Sequence, residues 1–219
     1  MKSLIHVFIC ISVSAITATV HSLSCVHCIS EGETSCTGAE KKCPSDNYMC
    51  GSTFTFSIID GVAQKVFFRS CEKPSFCGLS GTIGFQKGKV KTATTCCSSD
   101  SCKPQTPALP RDSTQRVGLN CSSCSTVNSA FCHTNEIIEC TGEETKCILQ
   151  STIISGIANS KSAVRGCATK NICDFGSQSY DFGDGNKVKT EVMCSNGSIN
   201  LLPKPMLLTI ISLMSAIML

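Results

Sequence analysis

The chain has 219 residues, 19 cysteines and no tryptophan, and 19 Lys and Arg against 16 Asp and Glu leave a formal charge of +3. So small an imbalance does not imply nucleic acid or electrostatic membrane binding. Cysteine at this density points to folding held by disulfides more than by a large apolar core.

At the N-terminus, Lys2 gives a positive start and Leu4 to Val20 is mostly apolar. Val20 and Ser22 occupy the minus-three and minus-one positions of a cut before Leu23. This is the pattern of a secretory signal peptide over residues 1–22. Its removal takes away Cys10 and leaves an even number of cysteines, as complete oxidation in an oxidising compartment requires.

The remaining cysteines form two blocks with repeating spacing. Cys25, Cys28, Cys36, Cys43, Cys50, Cys71, Cys77 and Cys96 are separated by 2, 7, 6, 6, 20, 5 and 18 residues, and Cys97 and Cys102 follow. Cys121, Cys124, Cys132, Cys140, Cys147, Cys167, Cys173 and Cys194 are separated by 2, 7, 7, 6, 19, 5 and 20. No gap slips by more than two, so one cysteine-rich module is duplicated. The modules are assigned to residues 23–103 and 119–196. Leu23–Lys103 carries nine basic and seven acidic residues, a formal +2, and Leu119–Asn196 six and eight, a formal −2. Residues 104–118 read as a linker, in which Pro104, Pro107 and Pro110 favour an extended, semi-rigid spacer.

Within the first module, Met49 to Ile59 alternates and carries Phe54, Phe56 and Ile58; Asp60-Gly61 then turns a hairpin into Val62 to Cys71. Lys89 to Cys96 is a further arm. In the second, Thr145 to Ile154, Ser155-Gly156 and Ile157 to Cys167 repeat the hairpin, and Lys187 to Cys194 the arm. No amphipathic helical stretch is evident. Both modules are predicted to be small all-β domains with long hairpins. Ser195 and Asn200 stand in the second module where the first has Cys97 and Cys102, so the two cysteines are absent together and are expected to pair with each other. The other eight of each module allow 105 connectivities.

At the C-terminal end, Met206 to Leu219 carries no charge over fourteen residues, fewer than the roughly twenty that a spanning helix needs. Asn196-Gly197-Ser198 offers small residues upstream of a short spacer, the pattern of a glycosylphosphatidylinositol (GPI) anchor signal over residues 197–219, with Asn196 or Ser195 as the lipid attachment residue. Asn120-Cys121-Ser122 and Asn196-Gly197-Ser198 are N-glycosylation sequons, and Asn120 is the glycosylation candidate.

The residues that tempt a catalytic reading are better assigned to structure. Cys25-x2-Cys28 and Cys121-x2-Cys124 have zinc or redox spacing, but in a secreted repeat of even cysteine count they are framework disulfide residues. His27 and His133 are the histidines that survive processing, and each lies beside framework cysteines. No G-x-S-x-G, H-E-x-x-H or phosphate-binding glycine loop occurs. Asp46, Asp60, Glu143 and Glu144 read as turn and surface carboxylates. No enzyme, metal or cofactor is expected.

The spacing C-x2-C-x7-C-x6-C-x6-C-x20-C-x5-C-x18-CC-x4-C resembles the three-finger domain of the lymphocyte-antigen-six and urokinase-receptor family. Leu23 to Cys28 is similar to that family's opening strand, and Cys96 to Cys102 to its closing motif. Glu40 to Ser45, Cys50-Gly51 and Cys140 to Cys147 resemble the two-domain gamma-type phospholipase A2 inhibitors. The resemblance implies two tandem disulfide-rich, snake-toxin-like three-finger domains. It also implies the pairs Cys25–Cys50, Cys28–Cys36, Cys43–Cys71, Cys77–Cys96 and Cys97–Cys102, then Cys121–Cys147, Cys124–Cys132, Cys140–Cys167 and Cys173–Cys194. Two departures stand out: Lys103 follows Cys102 where the family usually has Asn, and the second module lacks the closing loop.

Such modules act by presenting hairpins, so the expected function is recognition of an extracellular protein ligand, from the outer leaflet of the plasma membrane through the lipid anchor. The candidate contacts are Phe54, Lys65, Phe67 and Arg69 of the first module's central hairpin, together with the concave space between the modules. Core packing of the phenylalanines is the competing reading. The alternative function is a secreted stoichiometric inhibitor, with a secreted phospholipase A2 as the partner.

Overall fold

The computed structural model describes residues 22–59, 61–156, 159–183 and 186–197. The expected signal peptide and anchor signal lie outside these, apart from Ser22 and Gly197. So do Asp60 and Ile157 of the hairpin turns and Ser198 of the second sequon.

The first module begins with β1 (Ser24–Val26), β2 (Cys28–Glu31) and β3 (Glu40–Lys42). The central hairpin is β4 (Met49–Ile59) and β5 (Val62–Glu72), in which Gly61 turns with φ +81°. A 3-10 turn at Pro74–Phe76 leads to the third hairpin, β6 (Ser80–Phe85) and β7 (Gly88–Cys97). β1 pairs with β3, and the others run in the order β2-β5-β4-β7-β6. The second module repeats this plan. β8 (Arg116–Ser122) pairs with β10 (Ile137–Thr141). β9 (Cys124–Val127), β11 (Lys146–Ser155), β12 (Ser160–Ala168), β13 (Gln178–Gly183) and β14 (Asn186–Ser195) run in the order β9-β12-β11-β14-β13. Two all-β modules of one topology result, three-fingered and disulfide-rich.

At the finger bases the cysteines close as Cys25–Cys50, Cys28–Cys36, Cys43–Cys71, Cys77–Cys96 and Cys97–Cys102 in the first module. In the second they close as Cys121–Cys147, Cys124–Cys132, Cys140–Cys167 and Cys173–Cys194. Buried cysteines form the core of each base, with Leu23 and Tyr48 packed on one and Leu119 and Ile138 on the other. The disulfides do here what aliphatic side chains do in larger domains.

The modules are not separate bodies on a spacer. β6, the open edge of the first, pairs antiparallel with the base of β12, Ile83 opposite Ala168 and Gly84 opposite Cys167, so that one ten-stranded sheet runs through both. Around this seam Thr82 N donates to Thr169 Oγ1 (3.2 Å), Thr169 N to Thr82 O (3.1 Å) and Gln86 N to Ser123 Oγ (2.7 Å). Glycines make the close approach possible. A Cβ on Gly81 would lie 2.4 Å from Thr169 Oγ1, and one on Gly166 would lie 2.0 Å from Gly84 O.

Directly paired residues of antiparallel strands share a face, and the pairings place Val90, Ile83, Ala168, Val164, Ile148 and Val192 on one side. That inner face is the largest apolar core: Ile83 and Phe85 of the first module with Ile148, Ala168 and Ile172 of the second. At about 1.5–3 kcal/mol for each large side chain, burial here outweighs the exposed ion pairs of the surface, so apolar packing holds the modules together. The sheet also curls. Seven strand steps separate β5 from β13, roughly 34 Å in a flat sheet, yet the rings of Phe68 and Tyr180 lie 6.2 Å apart, edge to face. Phe76 and Phe175 meet at 4.3 Å. At these two contacts, side chains of the two modules meet across the space expected as a concave contact surface.

Three further differences from the sequence reading appear. A six-residue helix α1 (Lys170–Phe175) precedes β13, too short for helical periodicity to register, and buries Ile172 against β6. β8 begins at Arg116, within the segment assigned to the linker. Glu144 is buried, not a surface carboxylate; it accepts from Thr82 Oγ1 and Thr141 N, both at 3.2 Å.

Candidate binding face

The opposite face of the first module's sheet carries Ser52, Phe54, Phe56 and Ile58 of β4. Arg69, Phe67, Lys65 and Ala63 of β5 flank them on one side, and Thr95, Ala93, Lys91 and Lys89 of β7 on the other. The segment after Cys102 lies across it as an irregular strap. Pro104 O accepts from Ser52 Oγ (3.1 Å), Gln105 O accepts from Thr95 Oγ1 (2.5 Å), and Thr106 Oγ1 donates to Thr34 O (2.9 Å). Leu109 packs on the cluster of Cys36, Phe54 and Phe67. The residues expected to act as a spacer thus cover a sheet face.

This cover corrects most of the expected contact set. Phe67 is 0% exposed and Phe54 9%, so both are core. The sequence points them to a contact surface because nothing local reveals that a distant strap covers them. Arg69 is committed inside the module: Nη1 donates to Cys36 O (2.8 Å), Nε to Ser52 Oγ (3.1 Å), and the guanidinium lies 5.2 Å from the Phe67 ring centroid. Of the four, Lys65 alone is exposed.

Toward the finger tip the strap ends and the face opens. Phe56, half-buried, lies between Lys65 and Lys91 in register, and Ile58, exposed, between Ala63 and Lys89. A cavity of about 250 Å³ is lined by Phe56, Ile58, Gly88, Lys89, Lys91 and Asp112. The lysines converge on Asp112 at the strap's end: Lys91 Nζ lies 2.6 Å from Oδ2 and Lys89 Nζ 3.2 Å from Oδ1. Hydrogen bonds from Lys91 and then Lys89 hold the Asp112 carboxyl below the usual carboxylate range. The period-two spacing of Lys89 and Lys91 is the readable sign that both share a face. Asp112 gives none, because it comes from an irregular segment. A second hollow lies along the β13–β14 hairpin, between Ser177–Ser179 and Lys189–Met193, where Lys189 already pairs with Glu191 at 2.6 Å.

The other predicted residues are placed as follows. Asn120 is exposed on β8, next to the fully buried Cys121. Ser195 ends β14 opposite Cys147, while Asn196 lies one residue beyond the ladder and accepts from Lys146 Nζ at 2.5 Å. His27 Nε2 sits 3.3 Å from Cys71 Sγ, and burial, then Lys41, lowers its pKa. The ring packs on the Cys43–Cys71 disulfide. The Sγ atoms of Cys25, Cys43 and Cys71, and of Cys121, Cys140 and Cys167, gather within 4.8 Å. Every one of them belongs to a disulfide and offers no thiolate to a metal. Among the described residues no helix is long and apolar enough to cross a membrane.

A model of the u-PAR/Ly-6 domain matches residues 21–105 and again 117–200. Phospholipase A2 inhibitor NAI of Notechis ater is 29% identical over 176 residues, covering 79% of this chain and 86% of that one. A gamma-type phospholipase A2 inhibitor of Laticauda semifasciata is 28% identical over 157 residues, 70% and 85% of the two chains. The urokinase plasminogen activator surface receptor of Mus musculus is 26% identical over 181 residues, 80% of this chain but 54% of the receptor, so the chain spans about half of that relative. Among solved structures, mouse TEX101 shares 16% identity at a TM-score of 0.35, over 78% of this chain and 97% of that one.

Proposed function

The chain belongs to the u-PAR/Ly-6 domain family, and from that premise we propose that it is an extracellular protein, GPI-anchored at the cell surface, that binds a protein ligand and is not an enzyme. The binding reading rests on the tip of the first module's central finger, where apolar and cationic side chains stand open around a cavity on a disulfide-held frame. Rigid elements that hold a few exposed side chains in place suit recognition. The anchor reading rests on the Asn196–Ser198 triplet and the uncharged Met206–Leu219 segment. Asn196 is the better attachment residue, because it stands beyond the ladder that still holds Ser195.

The test is release. Full-length protein expressed in cultured cells is expected to reach the surface and to enter the medium when intact cells are treated with phosphatidylinositol-specific phospholipase C. Protein found free in the medium with no surface pool would overturn the anchor.

That second outcome would favour a soluble inhibitor of a secreted phospholipase A2, the reading supported by two relatives named as phospholipase A2 inhibitors, which this chain covers over most of their length. The mature protein would then abolish the enzyme's activity at a fixed molar ratio, with no turnover of its own.

A further inference from the structure

The finger tip is built asymmetrically. Lys89 and Lys91 project from β7, a strand paired on both sides, and the Lys91 side chain is 12% exposed. Their counter-ion comes from the irregular strap and is 66% exposed. A fixed pair of cations thus holds an anion that can leave, since an ion pair with one partner this exposed contributes little stability. Asp112 also shows what the lysine pair accepts: a carboxylate reaching in from extended chain. Beside it, Phe56 and Ile58 floor a cavity of about 250 Å³, smaller than the roughly 300–1,000 Å³ of small-molecule sites and matched to one or two side chains. Lys65, next to Phe56 on β5, adds a third cation to the row. Asp112 is the sole carboxylate lining this cavity among the described residues.

We propose that this tip is the docking site for an acidic segment of a protein partner. One partner carboxylate displaces Asp112 between Lys89 and Lys91, and an adjacent apolar side chain enters the cavity over Phe56 and Ile58. The apolar floor distinguishes this from a site for a sulfated polysaccharide, which would leave Phe56 and Ile58 without a counterpart. Asp112 acts as a built-in competitor that keeps the lysines paired until a partner arrives. The inference rests on the protein-binding reading and names its surface.

The test uses the mature protein and a fluorescein-labelled pentapeptide, Glu-Leu-Glu-Phe-Glu, with a Gln-for-Glu peptide as control. Asp112→Asn is expected to bind the acidic peptide about fivefold more tightly than wild type, with an affinity that falls as salt rises. Lys89→Gln with Lys91→Gln is expected to bind at least about tenfold more weakly than Asp112→Asn. Ile58→Glu, at an exposed position, puts a carboxylate in place of one of the two floor residues and is expected to abolish binding. Equal affinity of Asp112→Asn and wild type would overturn the proposal, as would binding of the Gln peptide. Lysine-dependent binding of heparin with none of the peptide would also overturn it. A Lys89→Gln/Lys91→Gln protein that inhibits a secreted phospholipase A2 like wild type would refute this site and leave the protein-binding reading standing.

Discussion

Phe68 of the first module and Tyr180 of the second meet edge to face with ring centroids 6.2 Å apart, so the third finger of one module closes over the sheet of the other. Burial, and then the Glu72 carboxylate, pushes the Tyr180 phenol up. With the shared core of Ile83, Phe85 and Ile148, this contact is expected to make the two modules unfold as one cooperative unit. Gly81→Val is the direct probe, because its side chain would collide with Thr169 and Ile172. Calorimetry is expected to show one transition for wild type. The variant should be destabilised by about 1–3 kcal/mol, with its transition broadened or split. A single, unshifted transition would count against cooperative docking.

Glu72 is 2% exposed on the inner face, where it accepts from Ser70 Oγ at 2.5 Å. Burial raises its pKa above the ordinary value of 4.5, and the Ser70 bond opposes this only in part. The stability it contributes is therefore fully present below that ordinary value and is lost as pH rises through the folded value. Glu72→Gln is expected to raise Tm at pH 7–8 and to lose that advantage at pH 4. Thermal melts from pH 4 to 8 decide it, and an advantage of the same size at both ends would contradict the buried-carboxylate account.

The staples differ in worth. Cys97–Cys102 closes a sequence separation of 5 and Cys43–Cys71 one of 28. On loop-closure entropy, their removal costs about 2 and about 3.5 kcal/mol respectively. Urea unfolding of the two Cys-to-Ala double variants is expected to rank them in that order. The smaller figure is consistent with a second module that does without a counterpart.

Leu109 ties the strap to Phe54 and Phe67. Leu109→Ala is expected to cost about 2 kcal/mol, the low end for large-to-small core changes because the residue is half-buried. Lys103→Ala, at an exposed position, should change stability by less than about 0.5 kcal/mol. Equal urea midpoints for the two variants would mean that the strap lies loose in solution.

The cysteine spacing makes the duplication and the three-finger class legible, and alternation in β4 and β5 marks the central hairpin nearly to its ends. β6 is not legible. Its sequence, Ser80-Gly-Thr-Ile-Gly-Phe85, contains two glycines that weaken any strand signal. They are there because Thr169, Ile172 and Glu144 crowd against them from the other module. The same limit applies at the candidate face. Phe54 and Phe67 look like a contact patch while β4 and β5 are considered alone, and become core once Leu109 arrives from forty or more residues away in sequence. Composition records which residues prefer burial, and it does not record what will cover them.

The strap also separates two kinds of unit in this molecule. The cysteine repeat of the first module ends at Cys102, but its outer face is completed only by Pro104 to Asp112. What duplicates and what folds are therefore different stretches of chain. A first module cut at the repeat boundary would expose Phe54 and Phe67 to water and free the lysine pair. Exchanging modules between relatives succeeds or fails on whether Pro104 to Asp112 travel with the repeat.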